Sequence, residues 1–164
     1  MELFSVRPTT AKDWRQVRDL RLEMLADTPL AFGEHLETAQ RHLKPVWQVR
    51  GARGTSPLTC AFAAITQSGR WVGTMGGYIE RGSPMLVGVY VSPDYRGTAG
   101  VADALLAEVE SWARLRNDRI YLHVHSENPR ARSFYASRGY VETGVTLPYV
   151  LDRSQTELEM VKAL

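Results

Sequence analysis

The chain has 164 residues, of which 44% are hydrophobic and 23% are charged, and its formal net charge at pH 7 is +2. This length can bury the core of one domain over residues 1–164, and the small, well-mixed charge argues against nucleic acid as a partner. No apolar run reaches the roughly 20 residues of a membrane span, and the N-terminus lacks the layout of a signal peptide, so a cytoplasmic protein is expected.

The first half of the chain predicts a strand, two helices and three further strands. Residues 4–7 form a short alternating strand, and Thr10 with Asp13 resembles the cap that opens a helix. A second helix is expected over residues 34–42, and the proline and glycines of residues 43–57 indicate a loop. Three apolar runs separated by glycine turns are typical of an antiparallel meander, at residues 58–66, 71–80 and 85–91.

The second half alternates helices and strands. An amphipathic helix carries its apolar residues on one face, at Ala102, Leu105, Leu106, Val109, Trp112 and Ala113. Residues 120–125 alternate between apolar and polar side chains, as a strand with two different faces does. Asn128 is a preferred N-cap and Pro129 suits the first position of the next helix. Two closing strands follow, at residues 140–146 and 157–162, and this mixed order favours an α+β fold over a doubly wound sheet.

The segment VSPDYRGTAGVADALL, residues 91–106, predicts a strand, a glycine turn and a helix. The first backbone N–H groups of such a helix are unpaired, and the helix dipole places partial positive charge there, so a phosphate group fits this position. Gly97 and Gly100 leave the amides open to a ligand. On this spacing alone, a purely structural corner is the better explanation. No Lys-Ser or Lys-Thr of a P-loop follows, and the alternating parallel strands of a Rossmann fold are missing.

Two segments together resemble the motifs of the GNAT superfamily of N-acetyltransferases. The motif Val-x-Pro-x-x-Arg-Gly-x-Gly-x-Gly/Ala corresponds to residues 91–102, which contain one residue more than usual before Gly100. The motif Asn-x-x-Ala-x-x-Phe-Tyr-x-x-x-Gly-Phe corresponds to residues 128–140, with Tyr140 in the place of Phe. The resemblance spans most of the chain. It implies a mixed, mostly antiparallel central sheet with helices on both faces and a splay between the fourth and fifth strands.

The resemblance also implies an enzyme that passes the acetyl group of acetyl-CoA to a primary amine by direct attack in a ternary complex, without a metal. Backbone groups of Val89 and Val91 would bind the pantetheine arm and the acetyl carbonyl, and Asn128 would contact the pantetheine. Tyr135 would line this site and protonate the departing thiolate as general acid. The pyrophosphate would lie on the glycine turn, at Arg96, Gly97, Thr98, Ala99, Gly100, Val101 and Ala102.

A base usually completes such a site, because an alkyl amine with a pKa of about 10.4 is almost wholly protonated at neutral pH. In N-terminal protein acetyltransferases of this superfamily, a Glu five residues before the motif's Asn has this role, and here that position is His123. A neutral imidazole suits the task, but a strand histidine facing solvent is the competing interpretation. Glu80, Glu34 and Tyr90 are alternatives. His123 and His125 share a strand face, but no third metal ligand lies at a recognisable spacing.

The acceptor is left open by the sequence. The resemblance places its pocket at residues 29–34 and 146–150, and a protein N-terminus, a lysine, an antibiotic, a polyamine or a small metabolite would each fit the pattern. The oligomeric state is open as well, with a homodimer among the options. A non-catalytic acyl-CoA-binding or regulatory domain is the alternative function, which Tyr135 disfavours, and an unrelated nucleotide-binding protein is a third. Cys60 is expected to be a buried strand residue.

Overall fold

The computed structural model describes residues 2–97 and 99–164. The strands are β1 (Phe4–Pro8), β2 (Thr59–Thr66), β3 (Trp71–Glu80), β4 (Ser83–Val91), β5 (Arg119–His125), β6 (Val141–Tyr149) and β7 (Asp152–Ala163). The helices are α1 (Trp14–Asp27), α2 (Leu36–Gln40), α3 (Lys44–Ala52), α4 (Val101–Arg114) and α5 (Pro129–Ala136). The strands form one sheet in the order β1-β2-β3-β4-β5-β7-β6, in which only β4 and β5 pair in parallel among the described strands. The prediction of a mixed, mostly antiparallel sheet is confirmed.

Helix α3 is where the sequence-based prediction was wrong, because its residues were expected to form a loop. Pro45 lies in the first turn of the helix, where a missing backbone N–H costs nothing. Gly51 lies at its other end, where a Cβ would come within 2.3 Å of the carbonyl oxygen of Thr10. The proline therefore starts the helix, and the glycine lets it pack closely against the chain that leads into α1.

Helices cover both faces of the sheet, and β2 shows this most directly. Its neighbouring residues Ala63 and Ala64 are both fully buried, in cores on opposite faces. The Ala64 face packs against α4 and α5, with Val101, Leu105, Val109 and Tyr135 among its buried residues. The Ala63 face packs against α1, through Leu20 and Met24. Within the described ranges, no helix has both the length and the hydropathy needed to cross a membrane.

Cys60 belongs to the core that packs against α4, as expected for a strand cysteine. Burial raises the pKa of its thiol to about 12, so the thiolate is scarce at neutral pH. Cys60 is therefore a packing residue and not a nucleophile.

Tyr140, the departure from the motif's Phe, has a partner for its hydroxyl group. The side chain is 1% exposed, and its hydroxyl donates a hydrogen bond to Oε1 of Glu110 over 3.1 Å. Nζ of Lys162 donates to the same carboxylate oxygen over 2.8 Å. A buried polar group costs little when it is paired, so a tyrosine is accommodated here.

The splay between β4 and β5 opens the sheet at its centre. The two strands are paired only at Met85 and Tyr121 in the described structure. On its other side, β4 pairs with β3, but the register shifts between the pair Thr74–Tyr90 and the pair Gly76–Val87. This shift is a β-bulge, which bends a strand and increases its twist. The bend carries the second half of β4 away from β5 and leaves a cleft between the two strands.

Candidate active site

The cleft between β4 and β5 contains a cavity of about 660 Å³. Residues 85–91 of β4 and 123–125 of β5 form its two strand walls. Gly97 and Ala102 border it at the start of α4, and residues 31–33 border it after α1. A third side comes from α5 and the residues that flank it, namely Asn128, Arg130, Ala131, Phe134, Tyr135 and Arg138. The cavity therefore joins most of the residues that the sequence assigned to the site.

The glycine turn before α4 presents an open row of backbone amides. Gly97 and Gly100 have left-handed backbones, with φ of +84° and +74°, and no atom lies within 4 Å of a Cβ built on either. The first helical bond joins the N–H of Ala104 to Gly100 over 3.0 Å, so the three preceding amides have no acceptor among the described residues. These amides and the dipole of a 14-residue helix fit a pyrophosphate. The expected role of Thr98 lies outside the described residues.

Arg96 uses its side chain to fix the position of this turn. Its Nε donates to the carbonyl oxygen of Val91 over 2.7 Å, its guanidinium pairs with Asp27 at the end of α1, and it lies over the ring of Tyr90. The guanidinium is therefore held by the protein's own groups. A phosphate contact from Arg96 stays a prediction and would involve its main chain.

The bulge in β4 turns the backbone of Gly88 and Val89 out of the regular pairing with β3. Neither residue has a partner in the described register, and Gly88 has φ of +61° with open space beside its Cα. Both residues line the cleft, and a bulge leaves backbone groups outside the regular ladder. Val89 was predicted as a site residue from the sequence, whereas Gly88 was not. Its signal was a glycine inside an otherwise apolar strand, which indicates a bulge or a close backbone approach.

Asn128 and Tyr135 are brought together by α5. Asn128 caps the helix, because its Oδ1 accepts a hydrogen bond from the N–H of Ala131 over 3.2 Å. Its Nδ2 then remains available, with no partner among the described residues. The hydroxyl of Tyr135 also has no hydrogen-bond partner among the described residues, although its side chain is only 7% exposed. Both side chains border the cleft and keep a free donor there.

The ring of Tyr135 is held by its aromatic neighbours. Phe134 and Tyr140 meet it edge to face, with centroid distances of 5.3 Å and 5.7 Å. Burial raises the pKa of the Tyr135 phenol well above its ordinary value, so the proton stays on the oxygen across the neutral range. The side chain is thus a fixed, protonated donor.

His123 lies on the β5 wall opposite Glu159 of β7. Its Nε2 is 3.5 Å from Oε2 of Glu159, and its side chain is 24% exposed. The other oxygen of Glu159 accepts a hydrogen bond from Thr143. His123 therefore has access to the cleft and a carboxylate that orients its ring.

His125 lies two residues further along the same face of β5, and both of its ring nitrogens bond to groups of the protein. The N–H of Glu127 donates to its Nδ1 over 3.1 Å, and its Nε2 lies 2.7 Å from Oε1 of Gln155. An N–H donor at Nδ1 leaves the ring proton on Nε2, which donates to the amide oxygen. Both nitrogens are used, so His125 has none left for a metal or a substrate.

Glu157 lines the cleft but was not predicted from the sequence as a candidate site residue. It lies opposite His125 in the β5–β7 register and borders the cleft, and no described residue forms an ion pair or a side-chain hydrogen bond with it. Burial raises the pKa of its carboxyl, and the charges of His123 and His125 act in the opposite direction. The signal was its place in QTELEM, where Glu157 and Glu159 alternate with Leu158 and Met160, which pack in the core.

The three alternative bases are placed differently. Glu80, at the end of β3, does not border the described cleft. Although partial burial opposes the effect, hydrogen bonds from arginines and His42 lower the pKa of Glu34 to about 2. Tyr90 borders the cleft, but its hydroxyl donates to Glu23, and burial together with that carboxylate raises its pKa. Of the three, only Tyr90 lines the described cleft, and its hydroxyl is already paired with Glu23.

Sequence comparison identifies the family. The model of the acetyltransferase (GNAT) family matches residues 17–140, about three quarters of the chain. The chain belongs to the GNAT acetyltransferase family. No curated protein sequence matches the chain significantly.

Solved GNAT structures share the whole fold. A GCN5-related N-acetyltransferase from Kribbella flavida has a TM-score of 0.76 and 19% identity over 98% of both chains. The PaiA N-acetyltransferase from Thermoplasma acidophilum, solved with coenzyme A, has a TM-score of 0.74 and 19% identity over 99% of both chains. Spermidine N-acetyltransferase from Vibrio cholerae, solved with CoA and spermine, has a TM-score of 0.73 and 18% identity over 98% of this chain and 95% of the other. At such identities, the likeness establishes the fold.

A second cavity, of about 430 Å³, lies on the α1 face of this GNAT sheet. The two cavities have five lining residues in common, namely Arg21, Arg53, Tyr78, Val87 and Gly88. Of the two expected acceptor segments, residues 29–34 contribute Ala31, Phe32 and Gly33 to the cleft. Residues 146–150 are not among the described lining residues. This segment supports the wall of the cleft, because the ring of Tyr149 packs edge to face on the ring of His125 with a centroid distance of 4.8 Å.

Proposed function

We propose that this protein is an acetyl-CoA-dependent N-acetyltransferase that acts as one domain and acetylates a primary amine by direct attack in a ternary complex. One observation carries the proposal. A single cleft runs from the open amides of the glycine turn, past the bulge at Gly88, to Tyr135, His123 and Glu157. Membership of the GNAT family and the coenzyme A bound in two solved neighbours support the choice of co-substrate.

Acetyl-CoA would supply an acetyl group activated as a thioester. The amides of Val101, Ala102 and the following residue would bind its pyrophosphate, since Gly97 and Gly100 leave the approach to them open. The backbone at Gly88 and Val89 would bind the acetyl carbonyl and the pantetheine, which have amide and carbonyl groups of their own. Nδ2 of Asn128 would donate to the same arm.

Tyr135 would stabilise the leaving sulfur as it takes on negative charge. A thiol has a pKa of about 8.5, whereas the pKa of this buried phenol lies above its ordinary value of about 10. Acid strength alone therefore does not favour the proton transfer. Tyr135 would contribute through a hydroxyl that is held in place and has no hydrogen-bond partner among the described residues, which is the kind of preorganised donor that stabilises developing charge.

His123 would take the proton that the attacking amine loses, and Glu157 would attract the amine while it is still an ammonium ion. The two side chains border the same cavity from adjacent strands. Glu159 would favour the protonated imidazole that forms, because it lies 3.5 Å from Nε2. This arrangement resembles the pairing of a base with an orienting carboxylate in other acyl-transfer sites.

Thermal unfolding with and without ligand tests the co-substrate. Coenzyme A and acetyl-CoA should raise the melting temperature, whereas ATP and NAD should not, because a ligand that binds only the folded state stabilises it. Amine-dependent release of the coenzyme A thiol, measured with a panel of amines, tests the reaction. The absence of a shift at millimolar coenzyme A contradicts the cofactor assignment. A shift without thiol release from any amine favours a binding or regulatory domain instead.

A further inference from the structure

The second cavity has an unusual charge pattern for a pocket that receives an amine. Three arginines line it, namely Arg21, Arg50 and Arg53, and no described acidic residue does so. Arg21 and Arg53 also line the cleft, so this arginine wall (Arg21, Arg50 and Arg53) faces the space next to the proposed reaction site. A cationic acceptor such as a polyamine would be repelled by such a wall.

The protein compensates only part of this positive charge. Glu34 accepts hydrogen bonds from Nε of Arg21 over 2.9 Å and from both terminal nitrogens of Arg50 over 3.0 Å and 2.8 Å. His42 contacts the same carboxylate over 2.8 Å. One carboxylate is therefore shared by two guanidinium groups, and the pair keeps an excess of positive charge.

Arg53 has no such compensation. No described residue forms an ion pair or a side-chain hydrogen bond with its guanidinium, although the residue is exposed at the point where the two cavities meet. Neighbouring protein atoms partly desolvate the guanidinium, and this effect and the charge of Arg50 lower its pKa, with Glu34 acting in the opposite direction. A guanidinium keeps its proton even so, and its planar fork matches an oxyanion with two parallel hydrogen bonds.

An opposite charge also borders this space. Glu157 is the one acidic residue that lines the cleft in the described structure, and it borders the β5 wall beside His123. Apolar side chains line the cavity with the arginines, namely Val17, Leu20, Met24, Trp71 and Val87. The pocket thus offers a carboxylate for an ammonium group, an apolar lining for a hydrocarbon body, and arginines for an anion.

We propose that the acceptor is an amine that also has an oxyanion and an apolar body, such as an apolar amino acid, with the oxyanion bound by Arg53. This inference rests on the proposed acetyl transfer. In that reaction the amine nitrogen forms a bond to the acetyl carbon and the carbon–sulfur bond breaks. The proton lost by the amine goes to the base, and the departing thiolate receives a proton from Tyr135.

The test uses matched amines and the rate of coenzyme A release from acetyl-CoA. Leucine and phenylalanine are each compared with their aminophosphonate analogues, their amides and the corresponding decarboxylated amines, and spermidine is included. We expect kcat/KM to be at least about tenfold higher for an amino acid or aminophosphonate than for its amide, a factor typical of one charged contact. Comparison of the carboxylate and phosphonate arms shows which oxyanion is favoured. A kcat/KM for the amides or for spermidine that equals or exceeds that for the amino acids and aminophosphonates overturns the proposal.

Variants of Arg53 locate the oxyanion. Arg53→Gln should raise KM for the best anionic acceptor by about tenfold or more and should lower kcat/KM for the amide much less, while a melting shift with coenzyme A persists. Arg41→Gln, at an exposed arginine that lines neither cavity, serves as the control. An equal loss for acid and amide in Arg53→Gln overturns the assignment.

Binding measurements separate this proposal from the proposed function. Amino acids and aminophosphonates should raise the melting temperature further when coenzyme A is already bound, and amides should not. If coenzyme A stabilises the protein but no anionic amine binds or is acetylated, the acceptor class is wrong while the co-substrate stands. If coenzyme A itself produces no shift, the proposed function fails as well.

Discussion

Gly97 in the turn before α4 and Gly82 in the hairpin between β3 and β4 have almost the same backbone angle, with φ of +84° and +83°. Each has open space where a Cβ would project. The left-handed conformation alone makes an alanine costly at both positions, by about 1–2 kcal/mol. Only the space beside Gly97 belongs to the cleft. Alanine variants at these two positions therefore separate the effect of backbone strain on stability from the effect of a methyl group on ligand binding.

Gly97→Ala should weaken coenzyme A binding by about tenfold or more, because the methyl group would occupy the approach to the amides that start α4. Gly82→Ala should leave the affinity unchanged. The free energy of unfolding, measured with urea, should be lower than that of the wild type by similar amounts in both variants. Calorimetric titration with coenzyme A measures the affinities, and equal affinities in the two variants would contradict a pyrophosphate site at this turn.

Tyr135→Phe should lower kcat by about a hundredfold or more and leave the affinity for acetyl-CoA nearly unchanged, because it removes the hydroxyl and keeps the ring. Tyr95→Phe is the matched control, since Tyr95 is also 7% exposed but does not border the cleft. Steady-state rates of thiol release, with affinities from calorimetry, check the prediction. An unchanged kcat in Tyr135→Phe would remove the phenol as the proton donor.

Most of the fold was predictable from local patterns. The β2 to β4 meander and the amphipathic α4 have strong periodicity, and their strands and helix lie where the sequence indicated them. Helix α3 was not predicted because the effects of Pro45 and Gly51 depend on where the two residues lie in the fold. The proline occupies the one turn that tolerates it, and the glycine is required by close contact with Thr10, which is 41 residues away in the chain.

The lining of the cleft was predictable where one short segment forms it, as in the glycine turn and α5. It was missed where distant strands meet. Glu157 becomes a cleft residue only because β7 pairs with β5 in a register that places it opposite His125. The excess positive charge near Arg53 could not be predicted from the sequence either, because it depends on Arg21 and Arg50 sharing one carboxylate, that of Glu34.

Steady-state kinetics with the amine should distinguish the roles of His123 and Glu157. If His123 is the base, His123→Gln should lower kcat far more than it raises KM for the amine, because the bound amine then has no group to take its proton. Glu157→Gln should mainly raise KM for the amine. The reverse pattern, with kcat lost in Glu157→Gln and retained in His123→Gln, would assign the base to this carboxyl, whose pKa burial raises.

Glu34 should make the stability of the protein depend on pH. Its carboxyl has a pKa of about 2 in the folded state, against 4.5 ordinarily, because the hydrogen bonds from Arg50, His42 and Arg21 outweigh the effect of burial. A lowered folded-state pKa means that the unfolded chain binds the proton first as the pH falls. The stabilisation is therefore complete above about pH 5 and is lost progressively as the pH falls toward 2.

Glu34→Gln should remove this contribution, which we expect to be on the order of 1–2 kcal/mol at pH 7 after allowance for solvent screening. The variant should be less stable than the wild type at pH 7 and should lose less further stability between pH 5 and pH 3. Glu37→Gln, at an exposed glutamate with no ion pair among the described residues, is the control and should follow the wild type. Urea unfolding across this pH range measures both. Parallel pH profiles for Glu34→Gln and the wild type would show that the arginines do not hold Glu34 ionised.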